Sequence, residues 1–207
     1  MSTYKIYIIR HGITQANLDG TYCGTTDLPL CAEGFARLAG LAGKYEYPYP
    51  EVVYPSPLLR ARQTANVLFP DYEHVVKDGL REAAFGVYEG RRFSDLSDDA
   101  DFQKWVSFGS EVTPEGAEPH EKFNRRCVET FVEIVGELMK SGTHSAAVVT
   151  HASVIANVLA NIAYPKKNAY DWQCYAGCGY TVLADPILFC REPVVEVIDV
   201  VPADLDF

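Results

Sequence analysis

The stretch KIYIIRHG, residues 5–12, is an apolar run that breaks abruptly into an arginine, a histidine and a glycine. A second stretch, SAAVVTHA at residues 145–152, has the same form, an apolar run closed by a histidine and a small residue. Apolar runs of this kind that alternate with helical patterns predict parallel strands. Ligands bind beyond the carboxyl ends of such strands, so we expect Arg10, His11 and His151 to converge in one cleft.

The rest of the chain continues the alternation of strand-like and helical segments. EVVYPS is a third β-type run, and helical patterns are predicted at about residues 32–45, 57–68, 119–140 and 152–163. Near the end, YTVLA, ILFCR and VVEVIDV are separated only by short turns, which predicts antiparallel strands at the edge of the sheet. The expected fold class is α/β, a three-layer α/β/α sandwich around a mostly parallel central sheet with antiparallel edge strands.

Composition limits the classes of function. The chain has 207 residues, 48% of them hydrophobic, and no linker-like segment divides it, so we expect one domain spanning residues 1–207. No leader-like segment follows Met1 and no apolar run reaches the roughly 20 residues of a membrane span, so we expect a cytoplasmic protein without a membrane partner. The net charge of −10 disfavours nucleic acid as a partner. The six cysteines show no CxxC spacing and are expected to be reduced thiols.

Two further segments carry candidate site residues. In SPLLRARQTA, residues 56–65, Arg60 falls near a helix N-terminus, where a positive charge is unfavourable unless an anion lies nearby. In LREAAFGVYEG, residues 80–90, Glu82 follows Arg81 and is followed by apolar residues, and apolar surroundings can raise a carboxyl pKa and suit the group to general acid catalysis. The plain alternatives are a solvated surface arginine, a salt-bridged surface glutamate and structural histidines at the strand ends.

The order of these segments carries a family resemblance. RHGITQAN, YCGTTDLPLCAEG, SPLLRARQTA, LREAAFGVYEG, PEGAE and VVTHASVI follow one another at about the distances found in the histidine phosphatase superfamily, also called phosphoglycerate mutase-like. The chain resembles this superfamily from Lys5 to about Ile162. One RHG tripeptide would be weak evidence, but six segments in order are specific.

The resemblance implies a phosphohistidine mechanism and a role for each candidate. His11 resembles the nucleophile, Glu82 resembles the proton donor, and the phosphate pocket would be formed by Arg10, Arg60 and His151. Further substrate-binding positions implied by the resemblance are Asn17, the backbone around Gly24 and Thr25, and Ala152.

The chemistry explains why these residue types are needed. Two arginines and a protonated His151 would neutralise the phosphate oxygens before a neutral nitrogen of His11 attacks in line. The other ring nitrogen of His11 must donate to a fixed acceptor such as a backbone carbonyl, and Gly12 would permit the tight backbone required. Glu82 would protonate the leaving oxygen and then activate water. No metal and no cofactor are needed for this route.

Three positions depart from the family pattern. Ala152 stands where glycine is usual after the second histidine, Cys31 where threonine is common, and Tyr88 where tryptophan is common. None of these changes removes a catalytic group, so we expect activity to survive.

The expected reaction is hydrolysis of a small phosphorylated metabolite. Glycolytic mutases of the superfamily are longer and carry extra segments over the site; we expect this chain of 207 residues to lack them, so water should accept the phosphoryl group. Several segments, including AGCGYTVL, resemble α-ribazole-5′-phosphate phosphatases. Apolar surface for an aromatic base would come from Phe85, Tyr88, Trp105 and Phe108, although aromatic residues often serve only as core.

Three alternatives stay open from the sequence. One is phosphoryl transfer of the phosphoglycerate mutase type. Another is a metal-dependent phosphoesterase with His11, His151, Glu82 and Asp27 as ligands, against which the absence of paired metal-ligand motifs such as HExxH counts. The third is a binding module without catalysis, which the complete set of catalytic residue types disfavours. The oligomeric state is open, with a homodimer as one option.

Overall fold

The computed structural model describes residues 3–106 and 112–203. Within those ranges the chain forms six strands: β1 Tyr4–Arg10, β2 Val52–Pro55, β3 Ser145–Thr150, β4 Ala163–Tyr164, β5 Gly179–Ala184 and β6 Val195–Val201. The α-helices of the same ranges are α1 Gln15–Asp19, α2 Ala32–Lys44, α3 Leu59–Leu68, α4 Ala100–Val106, α5 His120–Ser141, α6 Ala152–Ile162 and α7 Pro186–Arg191.

The strands form one mixed sheet in the order β2-β3-β1-β5-β6-β4. β2, β3 and β1 run parallel, whereas β5 is antiparallel to both β1 and β6. The predicted mostly parallel sheet is therefore confirmed. The antiparallel pair of β5 and β6 lies inside the sheet rather than at its rim, because the short β4, which the sequence did not predict, pairs in parallel with β6.

Side chains of β1 alternate between two apolar layers, which gives the three-layer sandwich. Ile6 and Ile8 pack with the buried faces of α5 and α6, while Ile9 on the opposite face packs with α3. Burial on both faces explains why KIYIIR reads as an almost continuous apolar run rather than an alternating one. β1 and its neighbour β3 are thereby fixed rigidly, with their carboxyl ends side by side.

One predicted strand is wrong: ILFCR belongs to α7. The Asp185 side chain caps that helix by accepting hydrogen bonds from the N–H groups of Ile187 and Leu188, and Pro186 occupies the first turn. An aspartate followed by proline is a helix-start signal, and it outweighs the β-type residues that come after it.

The four predicted helices exist with small shifts at their ends. The second begins at Leu59 rather than residue 57, since Leu58 keeps an extended backbone. α1 and α4 were not predicted; α1 is a single turn closed by a capping box between Thr14 and Asn17. Along the described ranges, no helix combines the length and apolar character needed to cross a bilayer.

Candidate active site

His11 follows β1 and is held at the end of β3. Its N–H donates to the carbonyl of Thr150 at 2.8 Å. Its Nδ1 lies 2.6 Å from the carbonyl oxygen of Gly12, and because a carbonyl can only accept, Nδ1 is the protonated nitrogen. Burial first, and then the charge of Arg60, lower the pKa of His11 to about 3. The ring is therefore neutral at physiological pH, with the lone pair on Nε2.

Gly12 is needed for space rather than for backbone freedom. The sequence predicts a tight backbone there, but Gly12 is not among the glycines with positive φ. A Cβ at this position would lie 2.6 Å from Cδ1 of Leu38 on α2. The Gly12 N–H also donates to Oγ1 of Thr64 at 2.8 Å. Close approach of the neighbouring helices, not an unusual φ, therefore excludes a side chain.

His151 follows β3, and its ring faces that of His11 with centroids 5.1 Å apart. Its Nε2 is hydrogen-bonded to Oγ of Ser56 at 2.8 Å, whereas its buried Nδ1 has no partner in the described structure. Burial, and then the neighbouring His11 and arginines, hold the pKa of His151 well below its usual range. The ring of His151 is therefore neutral in the ligand-free protein, and the protonated ring expected during the reaction stays a prediction. The charged form would require a nearby anion.

Arg60 is 1% exposed and has no acidic partner in the described structure. Its guanidinium donates to the carbonyls of Thr26 at 2.9 Å and Gly24 at 2.7 Å, while its buried Nε has no partner among the described residues. Backbone carbonyls solvate the group without cancelling its charge. A buried, uncancelled cation is costly unless an anion joins it.

Arg10, at the last position of β1, is arranged in the same way. Its Nη1 donates to the carbonyl of Cys174 at 2.9 Å, and its buried Nε is unpartnered in the described part of the chain. The ion pairs found within residues 3–106 and 112–203 involve neither Arg10 nor Arg60. Both charges act on His11 and His151, so the four predicted pocket residues lie together.

Glu82 is buried beside this cluster, within the electrostatic reach of Arg60. Burial raises the pKa of its carboxyl group, and a hydrogen bond from the N–H of Ala83 at 2.9 Å, followed by the Arg60 charge, opposes the rise. A carboxyl group in this environment can hold a proton nearer neutral pH than an exposed glutamate does. The alternative of a salt-bridged surface glutamate is wrong.

Glu89 supports the loop that holds Arg60, a structural role that the sequence does not reveal. Its carboxylate accepts from the N–H groups of Gly24 and Thr25, both at 3.0 Å, and from Oγ1 of Thr26 at 2.7 Å. The backbone amides of Gly24 and Thr25, predicted to bind substrate, are therefore occupied within the protein. Gly24 must be glycine because a Cβ would collide with the carbonyl of Ala83 and the Glu89 carboxylate. Glu89 thus fixes the loop whose carbonyls hold Arg60.

The remaining predicted positions border the same region. Asn17 uses its side-chain oxygen to accept from the N–H and Oγ1 of Thr14, both at 3.0 Å, and lies with Arg10 at the wall of one cavity. Ala152, the first residue of α6, borders a second cavity. Ser56, which holds His151, was also missed, although it lies in the quoted motif before Arg60.

Asp27, one of the four ligands of the metal-dependent alternative, has a different role in the fold. Its Oδ1 accepts from the N–H of Leu59 at 2.6 Å and so satisfies the start of α3. In the described parts of the chain, no group of three or more His, Cys, Asp or Glu side chains is arranged to hold a metal. The donor geometry therefore gives the metal-dependent alternative no support.

The cavity bordered by Ala152 has a volume of about 440 Å³ and opens beside Arg10. Its aromatic lining residues are Tyr22, Phe85, Trp105, Phe123, Tyr170 and Trp172. We call this space the aromatic cavity. Phe85 and Trp105 line it as predicted, whereas Tyr88 stacks behind Trp105 with ring centroids 5.3 Å apart. Phe108 lies outside the described residues.

Comparison with known proteins agrees with this geometry. The family model of the histidine phosphatase superfamily (branch 1) matches residues 6–184. The adenosylcobalamin/alpha-ribazole phosphatase of Escherichia coli K12 is 30% identical over 179 residues, covering 84% of this chain and 87% of that protein.

Solved structures share the fold over nearly the whole chain. The alpha-ribazole phosphatase of Shigella flexneri superposes with a TM-score of 0.77 at 24% identity, covering 94% of both chains. A phosphoglycerate mutase of Bacillus anthracis gives the same TM-score at 19% identity, covering 95% of this chain and 92% of that one. At these identities the two likenesses establish the fold alone.

The chain belongs to the histidine phosphatase superfamily. It is a phosphatase, a hydrolase that acts on phosphate esters.

Proposed function

We propose that this phosphatase hydrolyses α-ribazole-5′-phosphate, or a closely similar nucleoside monophosphate, through a phosphohistidine formed on His11. One observation carries the mechanism: a neutral His11, fixed through Nδ1 on the Gly12 carbonyl, lies among two arginines that have no acidic partner in the described structure. A nucleophile and an uncancelled positive pocket are the two requirements of attack on a phosphate dianion.

The first step transfers the phosphoryl group to the protein. Nε2 of His11 attacks phosphorus in line, and an N–P bond forms as the ester P–O bond breaks. Glu82 gives its proton to the departing oxygen, so that an alcohol leaves instead of an alkoxide. Arg10 and Arg60 stabilise the phosphoryl oxygens throughout. The dianion also favours protonation of His151, whose unpartnered Nδ1 then donates to it.

The second step regenerates the protein. The Glu82 carboxylate takes a proton from water as the water oxygen attacks phosphorus. The N–P bond breaks, its electron pair returns to Nε2 of His11, and inorganic phosphate leaves. Glu82 is again protonated and ready for the next cycle. We place this chemistry in the cytoplasm, with a small phosphate ester as the partner.

The aromatic cavity supports a nucleoside-like leaving group. Its rings offer an apolar surface on which a heterocyclic base can stack. Among its described lining residues, Arg10 is the one arginine or lysine, and Glu118 is paired with Arg126. A phosphoglycerate would bring a carboxylate into a space that offers no further arginine or lysine among those residues, which disfavours the mutase alternative. The names of the curated relatives agree with this choice.

Trapping the intermediate tests the mechanism. Substrate with labelled phosphate, mixed briefly with the protein and quenched in base, should leave protein-bound label that is stable in base and labile in acid, as a phosphoramidate is. Base-labile label would indicate an acyl phosphate and overturn the assignment of His11. The substrate is tested by comparing kcat/KM for α-ribazole-5′-phosphate with that for phosphoserine and 3-phosphoglycerate. A preference for either acidic ester would contradict the nucleoside assignment.

A further inference from the structure

A half-buried arginine on α5 reaches the segment that carries Glu82. Arg126 donates through Nη1 to the carbonyls of Gly79 at 2.8 Å and Arg81 at 2.9 Å. Its other edge forms a two-pronged ion pair with Glu118, from Nε to Oε1 at 3.0 Å and from Nη2 to Oε2 at 2.6 Å. Four hydrogen bonds of this guanidinium thus connect α5 to two segments, the one that leads to Glu82 and the one that contains Glu118.

The contact positions the backbone immediately before Glu82. Gly79 and Arg81 belong to the short segment that leads to Glu82. Because Arg126 holds both of their carbonyl groups, this backbone has little freedom, and the direction of the Glu82 side chain is restricted. The Arg126 and Glu118 side chains are 16% and 13% exposed, so the pair is shielded from water. A shielded two-pronged pair has a defined geometry that a surface ion pair lacks.

The same pair touches the aromatic cavity. Glu118 is one of its lining residues, and the Arg126 guanidinium lies 5.2 Å from the ring centre of Phe123, another lining residue. Arg126 therefore connects the wall that would contact the leaving group with the segment that would protonate it. Neither residue of the pair belongs to the phosphate pocket.

We propose that Arg126, held by Glu118, is a positioning residue that directs the Glu82 carboxyl group at the leaving oxygen of the substrate. This inference rests on the proposed function, because it assumes that Glu82 is the proton donor. The role is distinct from phosphate binding: loss of Arg126 should harm proton transfer and spare attack on phosphorus.

The charged groups around Glu82 determine how the pKa of its carboxyl group changes in each variant. Glu82 interacts with Arg60 on α3 and with Arg126 on α5. Other ionisable groups of this region are Cys23, Glu89, Glu118, Cys127, His11 and His151. Replacing Arg126 by methionine removes a cation, so Glu82 should keep its proton to higher pH. Replacing Glu118 by glutamine leaves the cation uncancelled, so Glu82 should lose its proton at lower pH.

The test compares two leaving groups in three variants. In Arg126→Met, kcat/KM for an alkyl phosphate should fall by about 10- to 100-fold, and that for p-nitrophenyl phosphate by less than about threefold, because p-nitrophenolate leaves without protonation. Arg126→Lys should recover part of the alkyl activity. The alkaline limb of the pH profile for the alkyl ester should move to higher pH in Arg126→Met and to lower pH in Glu118→Gln.

Two control variants separate positioning from stability. Arg125→Met makes the same charge change at the adjacent, exposed position of α5 and should leave both substrates unaffected. Lys77→Met removes the ion pairs to Glu133 and Glu137, which also join this region to α5, and should lower stability without changing the ratio of the two substrates. If Arg126→Met fails to fold, Arg126→Lys and Glu118→Gln carry the same comparison.

The outcomes distinguish this inference from the proposed function. Equal losses for both substrates in folded Arg126 variants, with unmoved pH limbs, would show a structural role and overturn the inference. Glu82→Gln is the reference: if it too lacks any dependence on the leaving group, Glu82 is not the proton donor of the proposed function, and the inference fails with that assignment, whereas the phosphohistidine on His11 is tested separately by trapping. If Glu82→Gln shows that dependence and the Arg126 variants do not, only the inference fails.

Discussion

The proposed phosphate pocket and the aromatic cavity meet at Arg10, yet they are built in opposite ways. The pocket consists of four side chains located at strand ends or at a helix start, and each is held by a backbone carbonyl or by a serine hydroxyl. They are Arg10, His11, Arg60 and His151. The cavity wall comes from loops and helices spread from Tyr22 to Trp172, held by contacts between rings. Under the proposed function, the reaction would depend on groups fixed to the backbone, whereas the choice of substrate would depend on packing.

The two regions also affect stability in opposite directions. Two buried guanidinium groups without acidic partners in the described structure, and histidines forced to stay neutral, cost free energy in the ligand-free fold. The rings in and behind the wall of the aromatic cavity, such as Trp105 and Tyr88, bury apolar surface and contribute favourable ring contacts. The pocket therefore destabilises the ligand-free fold, and a bound anion would remove that cost. The wall of the cavity, in contrast, is part of the core.

The largest effect is expected for the proposed nucleophile. His11→Ala should lower turnover of every phosphate ester by about 10⁴-fold or more, because the variant lacks the nitrogen that forms the phosphohistidine. The fold should be retained, with an unfolding midpoint close to that of the wild type, because the substitution removes a ring held in an unfavourable environment. Steady-state kinetics and thermal unfolding measure the two properties.

His144→Ala is the matched control, since this histidine lies at the opposite end of β3. It should leave turnover unchanged. Substantial activity in His11→Ala would exclude the covalent route and remove the basis for treating the pocket as the reaction centre.

The next effect concerns the proton donor at the boundary between the two regions. Glu82→Gln keeps the shape but removes the proton, so turnover of an alkyl phosphate should fall by about 10² to 10⁴. An aryl phosphate should lose less and should show a burst of product, because the base for the second step is also missing. Stopped-flow measurement of p-nitrophenolate release detects the burst. Equal losses without a burst would mean that Glu82 only orients the pocket.

The third effect is the pH dependence of stability, which the pocket should cause and the cavity should not. The folded-state pKa of His11, about 3, lies below its unfolded value near 6.5. The unfolded chain therefore binds the extra proton first, and His11 should cost about 2 kcal/mol of unfolding free energy as the pH falls from about 8 to 5. Glu82, with its raised pKa, acts in the opposite direction.

Comparison of wild type with His11→Asn isolates the histidine from Glu82. The variant should lose less stability on acidification than the wild type does, in urea unfolding performed in buffers free of phosphate. Parallel curves for the two proteins would mean that His11 is not held neutral by burial and the arginines.

The sequence predicts the pocket residues better than it predicts the wall of the aromatic cavity. The positions of Arg10, His11 and His151 were predictable because polar residues directly after buried parallel strands lie at the carboxyl edge of the sheet, which brings them together. The fold class followed from alternation of apolar runs with helical patterns. ILFCR resembles a strand by its β-type residues, but the Asp185 cap determines that it is a helix.

Features that depend on long-range contacts could not be predicted. No local pattern shows that Glu89 accepts three hydrogen bonds from a loop more than sixty residues earlier, or that Arg126 reaches the carbonyl of Gly79. The neutral state of His151 depends on burial and on neighbouring charges that meet only in the folded chain. The members of the aromatic cavity look like ordinary core residues until the helices are placed.

The smallest effect should come from reshaping the aromatic cavity while the pocket stays intact. Ala156 lies on α6 one turn after Ala152, and both border the cavity. Ala156→Phe should fill part of the space and lower kcat/KM for α-ribazole-5′-phosphate by about tenfold, equivalent to about 1.4 kcal/mol, mainly through KM. Ethyl phosphate, which needs only the pocket, should be turned over as by the wild type and serves as the internal control.

A urea unfolding curve is required as well, since overpacking can cost about 1–3 kcal/mol. Equal losses for both esters in a stable variant would show that the cavity does not receive the leaving group, and substrate choice would then have to depend on the pocket itself.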